Sequence, residues 1–130
     1  MKSPDQALYD YVFTQSVFKG YTTHDHLPMN NENAPYPFVV VDTVQTVPIA
    51  TKTGYSAQLS VTLHVWTSGE DRITASTMTS NLLQTLGFVD FKTSGYAFAP
   101  RNQQSQMMQD TSVPDTVLWH GIDMLVFDLK

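Results

Sequence analysis

Ala57-Gln58-Leu59-Ser60-Val61-Thr62-Leu63-His64-Val65-Trp66, within the longer run Tyr55–Thr67, is the stretch whose reading decides the fold. Large and small apolar residues occupy every odd position, and polar or amphipathic ones every even position. Five consecutive alternations match a half-buried strand and no helix. Working back along the chain, Phe38-Val39-Val40-Val41 opens a second strand that runs to Val47. Its four successive large apolar residues call for burial on both sides of the backbone. Pro48–Gly54 reads as a connector, so the two strands form a hairpin with a long tip.

The flanks read as helices. Ser3-Pro4-Asp5-Gln6 is a helix start, with Ser3 as N-cap, Pro4 at the first helical position and Gln6 completing a capping box. Gly20 is the matching stop. Between them Leu8, Tyr11, Val12 and Phe18 form one stripe, while Tyr9, Phe13 and Val17 fall on another side. A surface helix needs only one apolar face, so the second set is read as partner-facing. After the alternating strand, Ser68 caps a second helix over Glu70–Leu86, with Ala75, Met78, Thr79, Leu82 and Leu86 inward and Gly87 closing it. Tyr96–Met108 forms a strand that Pro100 pushes toward a sheet edge. The strand Val117–Leu129 is apolar on both parities, which predicts a central place with both faces covered, and Gly121 suggests a bulge. Tyr21–Pro37, with three asparagines and three prolines, reads as an irregular connection. It and Pro48–Gly54 are expected to order on docking. The reading is a single α+β domain over 1–130: a mainly antiparallel β-sheet packed by two α-helices, in the order α-β-β-α-β-β. Its expected core is Leu8, Val12, Val40, Leu59, Val61, Leu63, Leu82, Leu86, Leu125 and Phe127.

Composition narrows function. In 130 residues charged side chains reach only 15%, against about 25% in a typical soluble domain. Threonine, with 16 copies, leads the uncharged polar residues that replace them. Cysteine is absent, which excludes disulfide frameworks, thiol catalysis and cysteine-ligated zinc or iron–sulfur centres. A net charge of −5 argues against gripping nucleic acid through phosphate neutralisation. No apolar run approaches the roughly 20 residues of a membrane span, so no membrane partner is expected.

The sequence carries few residues in arrangements that do chemistry. His24-Asp25-His26 has metal-type donors but reads as a polar loop, so no metal and no cofactor is expected. Glu70-Asp71 reads as helix-terminus charge rather than an acid/base pair. No nucleophile elbow, dinucleotide fingerprint or P-loop occurs. Hence no catalytic residue is assigned and the chain is not read as an enzyme. The alternative is a small ligand-binding or enzymatic α+β domain with a pocket near His64, Trp66 and His120. A third reading is an adaptor that works by edge-strand pairing.

The run "PYPFVVV" (Pro35–Val41), then "TKTGYSAQLSVTLHVWT" (Thr51–Thr67), "LLQTLG" (Leu82–Gly87) and "WHGIDMLVFDL" (Trp119–Leu129) resembles the tail-completion and tail-terminator proteins of tailed bacteriophages. The resemblance covers nearly the whole chain in element order and is weakest over 97–116. It implies a structural virion protein whose partners are further copies of itself in a ring, a hexamer in that family, together with the tail tube protein and the head-completion or connector protein. DNA would pass through the lumen without specific binding. The location implied is the head–tail interface of the virion, with assembly in the host cytoplasm. A closed ring needs two unlike patches on each subunit, and Tyr9, Phe13 and Val17 are assigned to one of them.

Overall fold

The structure, a computed structural model, describes residues 2–27, 35–51, 54–112 and 116–130. Helix α1 (Pro4–Phe18) leads into β1 (Thr23–His24), β2 (Phe38–Thr51) and β3 (Gly54–Ser68). Helix α2 (Arg72–Gly87) follows, then β4 (Phe91–Thr93), β5 (Tyr96–Asp110) and β6 (Leu118–Leu129). The strands form one sheet in the order β1-β2-β3-β6-β5-β4. All neighbours are antiparallel except β1, which lies parallel to β2 through Thr23↔Val39 and His24↔Val40. The α+β class stands, but the sheet is mixed and the element order is α-β-β-β-α-β-β-β. The two added strands are two and three residues long, too short to leave a period in the sequence.

The alternation in β3 places its side chains as read. Ala57, Leu59, Val61, Leu63 and Val65 are fully buried, while Gln58, Ser60, Thr62, His64 and Trp66 are half-buried on the opposite face. Both helices lie on the first face. Leu8 and Val12 of α1 and Met78, Leu82 and Leu86 of α2 join Val39, Val41, Leu125 and Phe127 in one apolar cluster. All ten expected core residues are buried. Val40 is buried on the other side of the sheet, however, where it lines a cavity with His64 and Trp66. Among the described residues the face opposite the helices carries no helix, and Val47, Ile49 and Met124 are exposed there.

Several readings need correction. The connector Pro48–Gly54 is strand up to Thr51 and again from Gly54; Lys52 and Thr53 lie outside the described residues. Proline is tolerated at position 48 because β1 covers only Val39 and Val40 on the outer side of β2. The irregular connection 21–37 contains β1, and its residues 28–34 lie outside the described set. Helix α2 begins at Arg72, not after Ser68, which ends β3. Neither N-cap residue, Ser3 nor Asp71, makes a side-chain capping bond, and Gln6 donates to Asp10 instead. Phe18 is 77% exposed. It is the last residue of α1, beyond the span Ala7–Ser16 that holds the helix's buried side chains. Gly20 does terminate α1, with φ of 88°. Gly87 does not act that way; it is the last residue of α2 and packs against Leu125 and Gln103.

Strand β6 is central, as its two-sided apolar pattern required, but only one of its faces is covered. Leu125, Phe127 and Leu129 point into the core; Met124 is 46% exposed on the bare face. Gly121 makes no bulge, since pairing with β3 and β5 runs through it without a break. Its role is close approach: a β-carbon there would collide with the Thr79 hydroxyl of α2. The irregularity lies instead in β5, between Pro100 and Gln103. Gln103 fills it by donating to the Gly87 carbonyl at 2.6 Å and accepting from the Val126 amide at 2.7 Å.

Candidate functional site

On the bare face, β2, β3 and β6 bring together the three residues of the pocket reading. The pairings Val40↔His64 and Trp66↔His120 set the row. His120 stacks on Trp66 at 3.7 Å with 13° between the planes. His64 Nε2–H donates to Asp42 Oδ2 at 3.1 Å, and His64 Nδ1 lies 2.7 Å from His120 Nε2. With the single proton of the neutral His64 tautomer on Nε2, its Nδ1 accepts and His120 Nε2–H donates. Burial, then the neighbouring His64, push the His120 imidazole down to about 4, so it is neutral at pH 7. Leu27, Val40, Asp42, His64, Trp66 and His120 line a cavity of about 190 Å³. Among the described residues its wall carries an acceptor, two imidazoles and an indole, and no hydroxyl or thiol. The Asp42–His64 pair fixes the orientation of the His64 ring.

His24, Asp25 and His26 do not converge. His24 lies edge-on to Phe38 at 5.4 Å, with its buried Nε2 unpartnered, while His26 Nδ1 pairs with Asp25 at 2.6 Å. The hydrogen bond to His26 is the main reason that the Asp25 carboxyl sits below its usual range. Among the described residues no group of three or more histidine, aspartate or glutamate side chains could hold a metal ion.

The partner-facing set on α1 is split by the structure. The Tyr9 and Phe13 rings stack at 6.0 Å and pack, half-buried, against the margin of the core; Val17 is 48% exposed. Sequence reading missed further exposed apolar side chains at the two ends of α2: Ile73 at 77% beside its start, and Phe88 and Val89 just past its end. A cavity of about 350 Å³ lies at the Ile73 end, lined by Tyr21, Pro37, Ile73, Thr74, Thr77 and Met78. Also missed was Asp123, a carboxyl only 1% exposed on the helix face of β6, whose oxygens have no hydrogen bond of good geometry and only a loose approach from the Ser105 hydroxyl of β5. Burial pushes it up to about 7, and the Ser105 hydroxyl opposite pulls the other way by less. Its place in the alternation of β6 is the signal that could have found it: Asp123 shares the parity of Leu125 and Phe127.

With this geometry in view, comparison with known proteins is decisive. The family model described as tail completion protein gp17 matches residues 7–122. The chain belongs to the tail completion protein family. A curated relative, the tail completion protein gp17 of Bacillus phage SPP1, is 30% identical over 97 residues, which is 74% of this chain and 69% of that protein. The fold also recurs in a chain of the virion of a native gene transfer agent particle, with a TM-score of 0.68 at 16% identity over 99% of this chain and 98% of that one. A second solved chain has a TM-score of 0.60 at 12% identity, covering 96% and 92%. Family membership makes the chain a structural protein of a phage tail.

Proposed function

We propose that the chain is the tail-terminator, or tail-completion, subunit that forms a ring at the head-proximal end of the tail and joins tail to head. The observation that carries this is the family match over nearly the whole chain. The shape of the subunit supports it. One face of the sheet is covered by helices and the other is bare, so a subunit in a ring has an inner and an outer side of unlike chemistry. The bare face is rich in amides and hydroxyls: Gln58, Ser60, Thr62, Gln104 and Gln106. Facing a lumen, it would let DNA pass without binding it, since it offers few cations to phosphates. Six copies, the tail tube protein and the head-completion protein complete the proposed assembly, at the head–tail interface of the virion after synthesis in the host cytoplasm. Tyr9, Phe13 and Val17 are proposed to contribute one side of the subunit contact. The proposed role is structural, with no catalysis.

Light scattering and negative-stain microscopy of the purified chain, followed by its addition to tails made without it, test the reading. Rings with a central hole that restore joining to heads are expected. A monomer at every concentration, with no effect on joining, would refute it.

A further inference from the structure

The two outer edges of the sheet are largely uncovered. Strand β1 pairs only with Val39 and Val40 of β2, which leaves 41–51 with no strand on its outer side among the described residues. Strand β4 pairs only with Tyr96–Phe98 of β5, which leaves 99–110 likewise free among the described residues. A free strand edge is a row of unpaired backbone donors and acceptors, and so a template for another chain. Proteins keep such edges apart with lysines, other charges, prolines and bulges; neither stretch contains a lysine, and each has one proline and one bulge, which leaves 43–47 and 102–109 as the segments open to pairing.

From these edges we infer that neighbouring copies join by strand pairing, the free edge of β5 in one copy accepting the free edge of β2 in the next. The inference rests on the ring reading above and assigns its contact. Three observations select this pairing over others. First, β2, β3, β6 and β5 alternate in direction. Four alternating strands bring β5 and the next copy's β2 together antiparallel in any cyclic arrangement, so the ladder continues unbroken. Pairing of β5 with another β5 would close a two-fold dimer and leave both β2 edges free. Second, the edges are level. Across the ladder Ala99 lies level with Asp128, Gln58 and Val47, and Ser105 with Asp123, Leu63 and Val41. Seven residues of β5, 99–105, therefore sit at the height of 41–47 of β2. Third, each stretch breaks register once, at Asp42–Thr43 in β2 and at Arg101–Asn102 in β5. The breaks carry opposite charges, each half-exposed and already held within its own subunit: Asp42 by His64 at 3.1 Å and Arg101 by Asp128 at 3.2 Å, so a contact between copies would extend these pairs. A two-residue stagger, of the kind that closing a sheet into a barrel demands, sets one against the other.

The absence of cysteine makes the test direct. Asn102→Cys on β5 is combined with Thr43→Cys on β2, which it faces at that stagger, or with Gln45→Cys, which it faces if the edges stay level. Within one copy these positions are three strand spacings apart, about 14 Å, well beyond the roughly 7 Å limit for a disulfide. Any bond therefore joins two copies. Oxidation of at least one double variant should shift the monomer band to a ladder ending at the size of the wild-type oligomer, while each single variant stays monomeric on the gel. A wild-type oligomer whose double variants form no ladder overturns the edge contact and leaves the ring reading in place. Dimers from a single β5 cysteine overturn it in favour of two-fold pairing. A wild-type chain that scatters as a monomer at every concentration removes the ring reading, and this inference with it.

Discussion

Replacing Asp123 with asparagine should stabilise the subunit, and should do so only away from acid. The carboxyl has a normal value of 3.8 and is held at about 7 by burial beneath α2. In the unfolded chain it releases its proton near 4, whereas in the fold it keeps it until about 7. The native state therefore binds the extra proton, and stability falls as pH rises between those limits. A difference of about three tenfold steps, at about 1.36 kcal/mol each, puts the full cost near 4 kcal/mol above pH 7. Asparagine keeps the shape without the charge, yet leaves its own amide unpaired, a cost of about 1–3 kcal/mol that applies at every pH. His120 acts in the opposite sense: depressed to about 4, it destabilises the fold as pH falls below 6.5. The informative quantity is accordingly the difference between variant and wild type, in which His120 cancels. Urea unfolding followed by circular dichroism at pH 4.5 and pH 8 measures it. The difference should move in favour of Asp123→Asn by about 2–4 kcal/mol between the two. A difference independent of pH would refute the buried carboxyl as its origin.

Other expectations follow from the packing and the surface. Gly121→Ala forces a β-carbon into the Thr79 hydroxyl and should cost about 1–3 kcal/mol by thermal melting, part of it restored by Thr79→Ala. Val17→Asp should leave the melting temperature unchanged and reduce oligomer mass in light scattering. Phe13→Asp should reduce both, because Phe13 also packs against the core margin. Nuclear magnetic resonance titration should find the His120 ring neutral down to about pH 4, and His64→Ala should move that value upward by removing a neighbouring charge.

The central strand, the inward faces of both helices and most of the core were legible because each repeats a period several times. The odd positions of 57–65 and the set Ala75, Met78, Thr79, Leu82 and Leu86 are buried as read. What stayed hidden was set by pairing rather than by period. β1 and β4 are strands only because β2 and β5 lie beside them. Pro48 reads as a strand terminator, yet among the described residues the outer side of β2 beside it has no partner strand. His64, Trp66 and His120 could be placed on the polar face, but the contact of Asp42 with His64, across 22 positions of sequence, could not. Asp123 reads as ordinary polar punctuation unless the parity of β6 is followed through it.

The seam between β3 and β6 has a bearing on how the chain reaches its fold. Ser68 pairs with Leu118, about fifty residues further along, whereas β2–β3 and β5–β6 are hairpins whose partners are close in sequence. Each hairpin can form early and alone, but the central join must wait for the loop containing α2 to close. During synthesis the inner edge of β3, with its row of valines and leucines, therefore stays open until the second hairpin arrives. That interval is when strand pairing between nascent copies competes with folding.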